Sequence, residues 1–100
     1  MTRDMADVLS YIPEGKENAI SRAALRAAAG YGDRKVRSII TQLRENGYLI
    51  CNLSGGRGYF LGTDPDDIED FYRQEKRRAV SIFKSLKPFR KILKEAGRAV

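Results

Sequence analysis

Apolar side chains recur at helical spacing near the start of the chain, at Met5, Val8, Leu9 and Ile12, and predict a first helix over residues 3–12. Pro13-Glu14-Gly15-Lys16 ends it with helix-breaking residues. Asn18-Ala19-Ile20 reads as a stub of strand. Ser21 is placed to cap a second helix over residues 22–29, whose alanines favour that conformation. Gly30-Tyr31-Gly32 predicts a tight turn, since glycine reaches positive φ without strain. A third helix follows over residues 34–46, with Asp33 as its cap. Val36, Ile39, Ile40 and Leu43 form one stripe along it, and Asn46-Gly47 stops it. Residues 48–53 carry the aromatic and β-branched content of a strand. Residues 54–58, Ser-Gly-Gly-Arg-Gly, then form a hairpin loop, and residues 59–61 the returning strand.

The last third of the chain has a different pattern. Asp64 is a natural cap and Pro65 suits a first helical turn, where its missing N–H costs nothing. Ile68, Tyr72, Glu75, Ala79, Ile82, Leu86, Phe89, Leu93 and Ala96 alternate spacings of four and three, a heptad pattern. Phe71, Val80, Phe83 and Ile92 widen the apolar face. Pro88 lies inside the pattern and is expected to bend or break the helix near residues 84–87. The predicted fold class is mostly α with a small β-hairpin, and the organisation is a domain over residues 1–62 and a C-terminal helix over residues 63–100.

Charge sharpens this division. The chain has 100 residues and a formal net charge of +6. Residues 1–62 carry +3, residues 63–70 carry −5 and residues 71–100 carry +8. The acids fall at the positive end of the long helix's dipole and the bases towards its negative end. A basic excess of this size in a small chain favours a polyanionic partner.

Absences narrow the chemistry. The chain has no histidine, and Cys51 is its only cysteine. A disulfide within the chain, a His/Cys zinc site and any mechanism based on imidazole are therefore excluded. Gly55-Gly56-Arg57-Gly58 lacks the spacing of a phosphate-binding loop and precedes a strand rather than a helix. The acids of residues 64–70 fit capping and dipole stabilisation, and their spacing matches no calcium loop. No catalytic residue, metal or cofactor is expected, nor is an enzyme. Cys51 reads as a small buried hydrophobe. No apolar run approaches a membrane span, and Met1 to Met5 does not resemble a secretory signal, so a soluble cytoplasmic protein without a membrane partner is expected.

The strongest constellation is residues 20–61. Two helices joined by a glycine-containing turn make a helix-turn-helix, and the second carries Arg34, Lys35, Arg37, Ser38, Thr41 and Gln42 off its apolar stripe. Arg and Gln make bidentate contacts to guanine and adenine edges, whereas Lys35 and Thr41 suit phosphates. Arg57 alone on a thin hairpin tip suits a narrow, electronegative minor groove.

These residues carry a resemblance. Ile20-Ser21-Arg22, Leu25 to Gly30, Val36 to Leu43 with Arg44 to Tyr48, and Gly56 to Leu61 together resemble a winged helix-turn-helix domain. The layout is similar to the N-terminal DNA-binding domain of biotin-operon repressors and to small winged-helix proteins of prophages. The resemblance covers about 60 of the 100 residues. It implies sequence-specific binding to double-stranded DNA, with the recognition role on Arg34, Lys35, Arg37 and Ser38 and the wing role on Arg57. Ser21 and Arg22 join the candidate DNA-binding set. Such domains usually have a small residue four positions before the turn glycine; here it is Arg26. Either the helices sit further apart, or Arg26 turns outward and a neighbouring alanine makes the close contact.

Two points stay open at this level. Tyr31 is either a packing lid or a phosphate donor. The C-terminal helix either pairs with a second copy, folds back on the first domain, or binds an acidic partner or a membrane surface. Its length favours a homodimer through Ile68, Tyr72, Ala79, Ile82, Leu86, Phe89 and Leu93. The function expected is that of a small phage-type transcriptional regulator. The alternative is a winged-helix assembly or adaptor module whose long helix grips another protein.

Overall fold

The computed structural model describes residues 1–100. Helix α1 spans Arg3–Ser10 and begins where the Thr2 hydroxyl accepts from the Met5 N–H at 3.3 Å. It stops earlier than its apolar spacing predicts, because Tyr11 and Ile12 close it with tighter bonds to the carbonyls of Val8 and Leu9. A 3-10 turn over Lys16–Asn18 takes the first residue of the expected strand stub, and of its three residues only Ile20 bridges to the hairpin. Helix α2 spans Arg22–Ala29, and the Ser21 hydroxyl accepts from the Ala24 N–H at 3.1 Å, as the cap expectation required. Gly30 ends it in the left-handed conformation, φ 75°.

Helix α3 spans Asp33–Glu45. Its cap position is Gly32, with no side-chain bond, so Asp33 does not cap the helix as the sequence predicts. Asp33 is instead the first helical residue, and its carboxylate is held by arginines. Val36, Ile39, Ile40 and Leu43 are all buried, as their spacing predicts. With Met5, Val8, Ile12, Leu25, Ile50 and Tyr59 they form the core. Leu25 is the only buried residue of α2, so Leu25→Ala would remove most of what holds that helix, at about 2–5 kcal/mol.

Strand β1, Ile50–Cys51, pairs antiparallel with β2, Phe60–Leu61, in the register Ile50↔Leu61 and Cys51↔Phe60. On the other side of β2 the chain is tied to the segment before α2. Ile20 and Tyr59 exchange two backbone hydrogen bonds of 2.9 and 2.8 Å, and the Leu61 N–H donates to Pro13 at 2.7 Å. The first strand is far shorter than the predicted 48–53. Tyr48 stays bonded to the end of α3, its N–H donating to Leu43. Further on, the Asn52 carbonyl and the Ser54 N–H are bonded to the Gln74 side chain instead of a ladder partner.

Helix α4 spans Pro65–Ser85, opening with the Asp64 carboxylate accepting from the Asp66 N–H at 2.9 Å. Its first turns rest on the domain. Ile68 and Phe71 are half-buried, and the Arg44 guanidinium lies 4.7 Å from the Phe71 ring centre while its Nε donates to Ile50 at 2.8 Å. The helix breaks at Leu86 and resumes as α5, Lys87–Glu95, with Pro88 in its first turn, as expected. From Lys76 to the end every residue is exposed. The radius of gyration, 16.9 Å, exceeds the roughly 13 Å of a compact chain of this length, because α4 and α5 project from the body. No helix is long and apolar enough to cross a membrane.

Candidate nucleic-acid interface

Burial of one stripe of α3 dictates what the opposite face presents. With Val36, Ile39, Ile40 and Leu43 inward, the 100° step per residue turns Arg34, Ser38 and Thr41 outward and leaves Lys35, Arg37 and Gln42 on the flanks. All six are exposed. Arg34 lies within ion-pair distance of no carboxylate, whereas the two flanking bases, Lys35 and Arg37, are engaged.

Lys35 turns back to α1, where its Nζ lies 3.0 Å from Asp4 Oδ2 and 4.1 Å from the centre of the Tyr31 ring. This differs from the free phosphate contact expected of it, and the cause is the acidic first turn of α1. Tyr31 is half-buried there, and its single hydroxyl proton is shared between Asp4, at 3.1 Å, and Asp7, at 3.0 Å. The phenol is thus committed to packing and to these carboxylates. Partial burial, then the carboxylates of Asp7 and Asp4, push its pKa up to about 12. The hydrogen bond from Lys35, followed by that from Tyr31, holds the Asp4 carboxyl below its usual range.

Arg37 pairs with Asp33 at 3.6 Å, and two arginines of α2 converge on the same carboxylate, Arg22 at 3.3 Å and Arg26 at 3.7 Å. Asp33 Oδ1 is shielded from solvent and accepts no well-aligned hydrogen bond; the guanidinium groups neutralise it at ion-pair distance. Arg26 therefore turns outward at the helix crossing, and Ala29 of the same helix packs partly against the core. Sequence reasoning missed Asp33 as the hub of three arginines. Only its link to Arg37 was legible, as a pair four residues apart.

Ser38 and Gln42 present free side chains, and the Thr41 hydroxyl donates to the Arg37 carbonyl at 3.1 Å. Ser21 is exposed next to Arg22, and its hydroxyl retains a proton to donate while its oxygen caps α2.

Arg57 stands exposed on the hairpin loop without an ion-pair partner. The loop is fixed at both ends. Gly58 runs so close to the preceding segment that a Cβ there would lie 2.0 Å from the Ile20 carbonyl oxygen, and its φ is 132°. Gln74 holds the other end, accepting from the Ser54 N–H at 2.7 Å and donating to the Asn52 carbonyl at 2.9 Å. No sequence signal linked Gln74 to the loop, because 20 and 22 residues separate the partners.

Of the residues assigned to pairing of the C-terminal helix, Ile68 packs instead beside Gly62 of its own domain. Tyr72, Ala79, Ile82, Leu86, Phe89 and Leu93 are exposed. Cys51 is buried, and burial pushes its thiol pKa up. No group of three or more acids or cysteines is placed to hold a metal ion. The exposed groups are donors and cations, suited to binding phosphate oxygens and base edges. No protein-family model, curated protein or solved structure matches this chain.

Proposed function

We propose that the chain is a sequence-specific double-stranded DNA-binding protein of winged helix-turn-helix type, acting as a homodimer and serving as a small phage-type transcriptional regulator. The observation that carries this reading is the exposed outer side of α3. Arg34, Ser38 and Thr41 face outward from α3 with Gln42 on its flank, and Arg57 stands exposed on a hairpin loop pinned at both ends. In this reading α3 enters the major groove, where Arg34 and Gln42 read base edges, while the Thr41 hydroxyl keeps its proton on the Arg37 carbonyl and gives phosphate no donor. Arg57 enters the neighbouring minor groove. Arg22 and Arg37 reach phosphates from the Asp33 cluster, and Ser21 donates from the start of α2. The role is binding rather than catalysis.

Dimerisation doubles the site and sets half-sites about 34 Å apart, one helical turn of DNA. The test is fluorescence anisotropy against a random duplex pool at several salt concentrations, with sequencing of the bound fraction. A two-fold motif is the expected result, with affinity falling by a log–log slope of about −0.9 per phosphate contacted. Binding that disappears at moderate salt and enriches no motif refutes the reading and leaves the protein-assembly role.

A further inference from the structure

We infer that α4 holds the DNA phosphate backbone beside the hairpin loop, through Arg77 and Lys84 on the helix and Lys16 on the facing 3-10 turn. This rests on the DNA-binding reading but not on the homodimer. Gln74 ties α4 to the loop through the Asn52 carbonyl and the Ser54 N–H, so the bases of the helix keep a fixed place relative to Arg57. A hollow of about 460 Å³ opens at that joint, lined by Gly55 and Gly56 of the loop, by Lys16, and by Asp70 and Arg77 of the helix. Arg77 also lines a second hollow, a shallow one that follows α4 as far as Lys84. Sharing Arg77, the two form one strip that leads from the loop along the helix.

Charge selects the occupant. Five bases and two acids line the strip, and one of the acids, Glu69, is already paired with Arg73 at 2.9 Å. The other, Asp70, lies seven residues before Arg77, about 10 Å back along the helix. Glu14 and Glu17, the acids nearest Lys16 in sequence, line neither hollow. Lys16, Arg77 and Lys84 are exposed, and none lies within ion-pair distance of a carboxylate. Three unengaged cations in a mainly polar strip suit a run of phosphates. Spacing suits it too. Arg77 and Lys84 stand two turns apart on one side of α4, about 10 Å along its axis, and one DNA strand presents a phosphate about every 3.4 Å of duplex axis. The minor groove that Arg57 enters is only about 6 Å wide, so its bordering phosphates come within reach of the base of the loop, where Lys16 and Arg77 stand.

The test is anisotropy of the full chain on one duplex, the selected site with flanking sequence, between about 50 and 200 mM salt. The double variant Arg77→Ala, Lys84→Ala is expected to bind with a log–log salt slope shallower by about 2, so that it loses on the order of tenfold less affinity over this range than the parent, with the same preferred sequence. The control double variant Lys87→Ala, Lys91→Ala removes as much charge from exposed positions of α5 that line neither hollow, and is expected to keep the parent's slope. An unchanged slope in the first variant, or an equal loss in both, overturns the inference. A parent that enriches no motif in the random pool overturns the regulator reading, while the slope difference between the two variants on any duplex it binds still upholds the strip. A parent that binds no duplex at any salt overturns both.

Discussion

Replacing Arg34 by alanine separates the outward face of α3 from its flanks. Arg34 is exposed and pairs with no carboxylate, so its loss leaves the fold nearly untouched and removes one contact to a base. A good side-chain contact to a base edge is worth about 1–3 kcal/mol, which is a roughly 5- to 150-fold loss of affinity for the preferred site. Arg37 differs in one respect. It must leave Asp33, 3.6 Å away, before it reaches DNA, and an exposed pair of this kind holds about 0.2–1 kcal/mol. Arg37→Ala is therefore expected to cost less, about 0.5–2 kcal/mol, and across all sequences rather than at one position. Asp33→Asn removes the carboxylate that competes with phosphate for Arg22, Arg26 and Arg37, so binding tightens and its salt dependence steepens. The assay is anisotropy with the selected site and a scrambled duplex, alongside thermal melts. If Arg34→Ala binds the selected site like the parent while Arg37→Ala loses tenfold or more, the orientation assigned to α3 is wrong.

Three further outcomes follow from the same geometry. Gly58→Ala forces a Cβ against the Ile20 carbonyl and parts the two hydrogen bonds between Ile20 and Tyr59, at about 2–4 kcal/mol; Gly30→Ala, where nothing lies within 4 Å, costs only about 1 kcal/mol, as thermal melts of the two variants will show. Gln74→Ala is expected to raise amide exchange at Ser54 and weaken DNA binding through Arg57 while leaving the core amides protected, and unchanged exchange at Ser54 refutes the clamp. The Tyr31 cluster makes stability depend on pH at both ends. Its phenol, with a folded pKa of about 12 against the ordinary 10.0, contributes fully below pH 10 and loses that contribution as pH rises to 12. Asp4, held below 3.8, contributes above that pH and loses its contribution as pH falls through the lowered value; Tyr31→Phe is expected to flatten the alkaline limb in melts across pH.

Local chemistry was legible in the sequence wherever one residue acts on its near neighbours. Ser21 and Asp64 cap the helices that their positions announce, Gly30 takes the left-handed turn, and the stripe of α3 is buried as spaced. Pro88 breaks the long helix in the predicted place. Failures occurred where a distant group outcompeted a local preference. Asp33 has the residue type of a cap, but three guanidinium groups from two helices hold its carboxylate more favourably than a backbone N–H. Lys35 has the position of a phosphate contact, yet Asp4 lies 31 residues earlier in the chain and 3.0 Å away in space. The strand expected over residues 48–53 shrank at both ends, where the Tyr48 N–H stays on the Leu43 carbonyl of α3 and Gln74 takes the Asn52 carbonyl.

The heptad pattern shows the deeper limit. Regular apolar spacing records that a helix face is covered; it carries no record of what covers it. In α4 one continuous pattern runs through two surroundings. Ile68 and Phe71 meet the domain of their own chain, and beyond Lys76 the same stripe meets nothing within it. The change from half-buried to exposed follows shortly after the charge changes sign, from the acids of residues 64–70 to the bases that come next. The helix's own dipole accounts for that order, with acids at its positive end and bases towards its negative end, so the segregation of charge along residues 64–98, like the apolar spacing, records what the helix needs of itself and not what covers it.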